Sequence, residues 1–230
     1  MVFQHPTLSL LVAVFGNIPA VHLARLQEIF YERKYRAGEA IFLQGDIAKS
    51  IYLVAEGRVK IDRVTPDGNH CILCMRGPGD VFCPVPLLDC GCQLGTAWAM
   101  TDVTLLWADR DEFGEVAAAC PNLLAEVQKD CLLEVRRLLG RMESFAFHSV
   151  KDRVAITLLD ESQRQAQFGG SLNELRLTQQ ELAGLVGASR ESVSRTLSKM
   201  EDEGIVETLR GRILIRDRQK LQMLVGRKPA

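Results

Sequence analysis

Apolar positions recur along this chain with two different periods, and the change of period divides it. Between Ala40 and Ala108 they come in short bursts separated by glycine turns. Ala40–Leu43 ends at Gly45-Asp46, and Ser50–Val54 ends at Glu56-Gly57. Val59–Val64 alternates and ends at Pro66-Asp67-Gly68, Cys71–Met75 ends at Gly77-Pro78-Gly79-Asp80, and Ala97–Ala108 follows. Strands this short and evenly spaced predict an antiparallel roll or barrel. Ahead of them, residues 7–34 predict a short helix, a break at Gly16-Asn17-Ile18-Pro19, and an amphipathic helix through Leu23, Leu26 and Phe30. From Asn122 the period becomes helical. Leu124, Cys131, Val135, Leu138, Met142 and Phe145 recur, after one heptad, at alternating steps of four and three. This is a coiled-coil seam of about three heptads. The stripe is narrow and flanked by Glu134, Arg136, Arg137 and Arg141, so it predicts pairing with a second copy over packing on the chain's own roll alone.

The next elements follow from caps and turns. Residues 151–168 predict a helix and Gly169-Gly170-Ser171 a turn. Thr178 followed by Glu181 is a capping box that opens a helix with Leu182, Leu185 and Val186 on one face. Gly187 ends it, since glycine accepts the left-handed backbone of a tight turn. Ser189 caps a second helix that turns Val193, Leu197 and Met200 inward and Arg190, Glu191, Ser194 and Arg195 outward. Ala183, Gly187 and Val193 meet the needs of a helix-turn-helix for a small residue, a turn glycine and a buried branched residue. Such a unit lays its second helix in a DNA major groove. Thr178, Gln179, Ser189, Arg190, Glu191, Ser194, Arg195 and Lys199 are the candidate DNA contacts. After Gly204, Val206–Leu209 and Ile213–Ile215 predict a hairpin, a wing whose Arg210 and Arg212 are candidates for phosphates.

Composition changes this picture little, but charge distribution supports it. The chain has 230 residues, is 47% hydrophobic and carries a net charge of −1. Residues 151–230 carry +3 and residues 1–150 carry −4, so the helix-turn-helix lies in the positive part. The apolar run Leu8–Val21 is interrupted by Gly16 and Pro19 and lacks a preceding basic segment, which argues against a signal peptide or a membrane span. The expected location is cytoplasmic. There the seven cysteines are expected as thiols, metal ligands or redox sensors. No phosphate loop, nucleophile elbow or His-rich metal motif is present, so nothing but the thiols speaks for an enzyme.

The order roll, long helix, winged helix-turn-helix resembles the CRP/FNR family of bacterial transcription regulators from about Phe30 to Ile215. The matching residues are Gly38-Glu39-Ala40-Ile41-Phe42, Gly45-Asp46, Tyr52-Leu53-Val54, Glu56-Gly57-Arg58-Val59, Pro66-Asp67-Gly68, Gly77-Pro78-Gly79-Asp80 and Ser189-Arg190-Glu191-Ser192-Val193-Ser194-Arg195. The resemblance implies an α+β chain: a cyclic-nucleotide-binding-like β-roll over 1–120, a dimerisation helix and hinge over 121–148, and a winged helix-turn-helix over 149–230. It implies a homodimer on palindromic promoter DNA, with RNA polymerase as a further partner. The family's Arg-Glu-x-x-x-Arg pattern falls on Arg190, Glu191 and Arg195 and implies TGA-type half-sites, with arginine reading guanine and glutamate accepting from cytosine.

The effector departs from the cyclic-AMP branch. There a Gly-Glu pair leads to Arg-Ser/Thr-Ala, whose arginine pairs with the cyclic phosphate. Here Gly79-Asp80 leads to Gly95-Thr96-Ala97, and no arginine lies between Val81 and Asp109, so the phosphate lacks a bidentate partner. The places of the adenine-binding hydroxyls hold Leu138 and Leu139. The oxygen-sensing branch's N-terminal cysteines are also missing, since none precedes Cys71. Five cysteines instead fall within residues 71–92: Cys71, Cys74, Cys83, Cys90 and Cys92. Soft thiolates suit zinc, Cu(I), metalloids or an iron–sulfur cluster. The expected group is Cys83, Cys90 and Cys92 with Cys71 or Cys74 as a fourth, because residues three apart on a strand face opposite sides. Haem is the rival, since Gly79-Asp80-Val81-Phe82-Cys83 resembles the haem-ligating segment of the CooA carbon-monoxide sensors. Their histidine two residues on is Val85 here, leaving His70 as the candidate substitute. Small buried cysteines are also ordinary packing, and a regulator that has lost its ligand stays open.

Overall fold

The computed structural model describes residues 6–16, 18–64, 70–82, 84–89, 91–167 and 170–226. The chain divides into two compact units, one of Met1–Gly68 with Leu73–Arg137 and the other of Asn69–Ile72 with Leu138–Ala230. Among the described residues no helix is long and apolar enough to cross a membrane.

The first unit opens with helices α1 (Pro6–Phe15) and α2 (Ala20–Ile29). Strands β1 (Tyr31–Tyr35), β2 (Ala40–Phe42), β3 (Ser50–Glu56), β4 (Val59–Val64), β5 (His70–Arg76) and β6 (Val81–Phe82) follow. After α3 (Pro84–Asp89) come β7 (Thr96–Ala99), β8 (Val103–Asp109), α4 (Arg110–Ala119) and α5 (Pro121–Phe147), of which the part from Leu138 onward belongs to the second unit. The strands form two four-stranded sheets, ordered β1-β8-β3-β6 and β2-β7-β4-β5. Between the sheets lies one core, which includes Phe42, Val54, Val59, Phe82, Ala97 and Leu105. A second core, which includes Ile51, Leu53, Leu106 and Ala108, packs the outer face of the first sheet against Leu11, Leu26, Phe113 and Leu123. Strands β3 and β8 are therefore covered on both faces. That is why Ile51 to Val54 reads as an unbroken apolar run, with successive side chains pointing to opposite cores.

The predicted single run Ala97–Ala108 is two strands in different sheets. The chain turns between them, and Gly57 (φ +83) packs into that turn: a Cβ there would stand 2.2 Å from the Asp102 carbonyl oxygen. The segment Tyr31–Tyr35, left at the end of the predicted helical region, is strand β1, pairing Tyr31 with Trp107 and Tyr35 with Val103. The helix stops because Phe30 adopts extended backbone (φ −90, ψ 126). β1 then forms a sheet edge, where a polar face is tolerated. The two tryptophans lie one in each sheet. Trp98 on β7 donates from Nε1 to buried Asp62 at 3.0 Å, and Lys60 pairs with the same carboxylate at 3.0 Å. Trp107 on β8 meets Tyr31 with ring centroids 5.6 Å apart.

In the second unit, α6 (Val150–Gln167) precedes β9 (Glu174–Leu175), α7 (Gln179–Val186), α8 (Arg190–Asp202), β10 (Val206–Leu209), β11 (Arg212–Ile215) and α9 (Arg218–Leu224). Ser149 and Asp152 exchange hydrogen bonds at the start of α6, a reciprocal N-cap. Val154, Leu158 and Leu159 of α6 are buried together with Leu182, Val193, Leu197, Met200, Ile213 and Leu221. The strands order β10-β11-β9. The α+β class, with roll, long helix and winged helix-turn-helix, is the predicted one.

Candidate nucleic-acid interface and sensor site

The DNA-reading pair is built as its spacing predicts. Thr178 (φ −84, ψ 158) accepts from the Glu181 N–H at 3.2 Å, and Glu181 accepts from the Thr178 N–H at 2.7 Å. Gly187 ends α7 in the left-handed region (φ 59, ψ 49) and donates to the Ala183 carbonyl. Ser189 caps α8 by accepting from the Ser192 N–H at 3.2 Å. Val193, Leu197 and Met200 are fully buried. Thr178, Ser189, Arg190, Glu191, Arg195 and Lys199 are exposed, and Gln179 and Ser194 half-buried. Arg190, Glu191 and Arg195 lie in the first two turns of α8, and Lys199 lies in its last turn. The Glu191 carboxyl is held below the usual carboxylate range by its own backbone N–H, then by the Ser189 hydroxyl, with Arg190 and Arg195 adding. It is thus a charged hydrogen-bond acceptor on the exposed face of α8.

The hairpin β10–β11 carries Arg210 and Arg212 at its exposed tip. Arg212 is paired with Glu174 on β9 at 3.0 Å, a partner the sequence reading missed because a two-residue strand leaves no period. Arg216 bonds Glu207, and Arg218 bonds Ser162 and the Leu172 carbonyl at 2.9 Å each.

On α5, Leu123 and Val127 enter the second core of the roll. The residues assigned to the seam lie otherwise: Leu124 and Cys131 are half-buried, and Val135, Leu138, Met142 and Phe145 are exposed. Leu132 and Leu139 beside them are exposed too, Met142 to 66% and Leu139 to 58%. Burial and the neighbouring Asp130 push the Cys131 thiol up.

In the roll, Cys71 is exposed and Cys74 buried, as opposite faces of β5 require. Cys92 is exposed, in a bridge to Ile47. Cys83 and Cys90 lie outside the described residues. Among the described residues, no three His, Cys, Asp or Glu side chains gather to hold a metal ion. Cys120 packs in the outer core. A buried ion pair not foreseen from sequence links β5 to α5: Arg76 and Glu134 meet at 2.9 Å. Glu134 also meets Arg137 at 3.3 Å.

Two family descriptions match the chain, a cyclic nucleotide-binding domain over residues 32–120 and a Crp-like helix-turn-helix domain over residues 152–224. A CRP-like cAMP-activated global transcriptional regulator of Mycobacterium tuberculosis is 30% identical over 210 residues, 90% of this chain and 94% of that protein. A cyclic AMP receptor protein of Thermus thermophilus is 33% identical over 193 residues, 84% of this chain and 87% of its own. Among solved structures, FixK2 from Bradyrhizobium japonicum superimposes with a TM-score of 0.77 at 24% identity, covering 88% of this chain and 98% of FixK2. A CooA variant from Carboxydothermus hydrogenoformans gives 0.71 at 23% identity, covering 88% and 90%; both share the fold. With a roll, a helix-turn-helix and full-length relatives of this kind, the chain belongs to the CRP/FNR family of DNA-binding transcription regulators.

Proposed function

We propose that the chain is a cytoplasmic homodimer that reads inverted TGA-type half-sites in promoter DNA and adjusts transcription there with RNA polymerase. The observation that carries this reading is the N-terminal face of α8, where Arg190, Glu191 and Arg195 are exposed and pre-charged above a buried Val193, Leu197 and Met200. Ser194 and Lys199 extend the contact, Thr178, Gln179 and Ser189 meet phosphates beside it, and Arg210 and Arg212 do so from the wing. The exposed stripe of α5 supports pairing with a second copy through Leu124, Cys131, Val135, Leu138, Met142 and Phe145. Two such heads span half-sites about one DNA turn apart.

The signal in this proposal is not cyclic AMP, although the two relatives are named for it. The loop holds Gly95 where the phosphate-binding arginine belongs, and α5 holds Leu138 and Leu139 where hydroxyls belong. A thiol site in the Cys71–Cys92 region takes its place, as bound metal, iron–sulfur cluster or redox thiol, with Cys71 and Cys92 open to solvent. Haem on Cys83 is the alternative. A constitutive regulator is favoured by one observation: Leu138 and Leu139 complete an apolar stripe that needs no ligand to pair. Full-length protein is titrated with a duplex bearing inverted TGA half-sites, with and without cyclic AMP, reductant and chelator. Specific binding that responds to reductant or chelator and ignores cyclic AMP supports the thiol sensor. Binding unaffected by all three leaves the constitutive regulator, and a tenfold gain with cyclic AMP removes the effector reading.

A further inference from the structure

The last turn of α5 carries a contact that seam spacing does not explain. Phe145 turns its ring edge onto Gly187, the left-handed residue between α7 and α8. Its Cε1 and Cζ lie 2.6 and 3.1 Å from where a Cβ on Gly187 would stand. The Arg153 guanidinium, from α6, sits over the ring at 5.2 Å from its centroid. All three residues belong to the same compact unit. At the end of α5 the His148 N–H donates to the Ser144 carbonyl at 3.1 Å, and between α7 and α8 the Ala188 N–H donates to the Ala183 carbonyl at 3.1 Å, holding the turn. The Arg153 Nε and His148 Nδ1 atoms are buried with no hydrogen-bond partner among the described residues. The aromatic face is therefore what Arg153 leans on, a cation–π contact. Glycine serves Gly187 twice, by taking the positive φ and by leaving room for an aromatic edge against the turn.

We infer that Phe145 is a positioning residue for the recognition helix, gripping the α7–α8 turn through Gly187 and Arg153. The inference rests on the proposed DNA-reading role of α8. Close-packed contacts pass a displacement on rather than absorbing it, so a rotation of the end of α5 moves the start of α8 through this ring. Phe145 then belongs to the transmission between dimer helix and reader more than to the seam.

Phe145→Leu keeps apolar volume and removes the flat ring edge; Arg153→Met keeps the stem and removes the cation. Both variants and wild type are compared as full-length chains by sedimentation, by amide hydrogen exchange at Ala188, and by affinity for a duplex with inverted TGA half-sites. At protein concentrations where sedimentation shows each variant dimeric, the expected result is Ala188 exchange about fivefold faster and DNA affinity about tenfold lower. Gly187→Ala should cost less affinity on the Phe145→Leu background than on wild type, the non-additivity of residues in contact. Unchanged exchange at Ala188 in both variants overturns the inference. So does a loss of DNA affinity that disappears at protein concentrations restoring the dimer, since Phe145 is then a seam residue. If wild type ignores the duplex, the half-site reading falls and the exchange result still decides the role of Phe145.

Discussion

A carboxylate in the first turn of a helix faces unpaired N–H groups and the positive end of the helix dipole. Glu191 adds Ser189, Arg190 and Arg195 to that setting. Glu191→Ala should therefore relax preference at one base pair of each half-site and leave the others ranked as before, read by gel-shift competition with single-base variants. Its neighbour in chemistry is Thr178, whose loss as Thr178→Ala should cost about 1 kcal/mol of stability in thermal unfolding. Both residues were legible in sequence, because a cap and a recognition face are local spacings. Arg76 and Glu134 were not. Arg76 reads as a charge before a glycine turn and Glu134 as a flank of the seam, and only the fold brings the two within 2.9 Å of each other. Burial pushes the Glu134 carboxyl up, but Arg76 by charge and hydrogen bond, helped by Arg137, carries it below the ordinary 4.5. A lowered folded-state pKa contributes stability that is complete above the unfolded value and lost as pH falls through the folded one. Melting temperature should thus drop on acidification below about 4.5 in wild type, and Glu134→Gln should flatten that drop while lowering stability at neutral pH.

At the scale of elements, α5 is read from period alone, and its boundaries at Pro121 and Phe147 lie within two residues of those expected. Pro121 fits its first turn, where no N–H is needed. Its exposed stripe predicts a specific failure. Met142→Glu would put a charge into the proposed seam and should raise the dimer dissociation constant on the order of a thousandfold, given about 2 kcal/mol for each of two side chains no longer buried; sedimentation at several concentrations reads it. Other elements left no trace. β9 is two residues long, α3 six and α9 seven, too short for a period to repeat. β1 hid behind α2 because four of its five residues are exposed. The division of Ala97–Ala108 between two sheets came from a turn that Gly57 completes from another part of the chain, a non-local cause that no window of sequence contains.

For the whole molecule, affinity for DNA is set as much by phosphates as by bases, and it falls with salt as each phosphate contact releases counterions. Arg210→Ala should reduce the salt slope by about one per contact removed. Arg212→Ala should reduce it less, because Arg212 must first leave Glu174. The signal is the least legible part, since Cys83 and Cys90 lie outside the described residues. An absorption spectrum and metal content of anaerobically purified protein should show a chromophore or bound metal that Cys92→Ser removes if a thiolate site is present. The placing of the tryptophans bears on how such events would be watched. The sequence holds two, Trp98 beside a buried carboxylate in one sheet and Trp107 beside Tyr31 in the other, and none in the DNA-reading unit. The protein is thus its own optical gauge for the roll. An effector bound at the proposed thiol site of the roll would shift or quench ultraviolet emission, while DNA docking on α8 would leave that light unaltered unless the roll itself moved, so a single cuvette separates arrival of the message from its delivery.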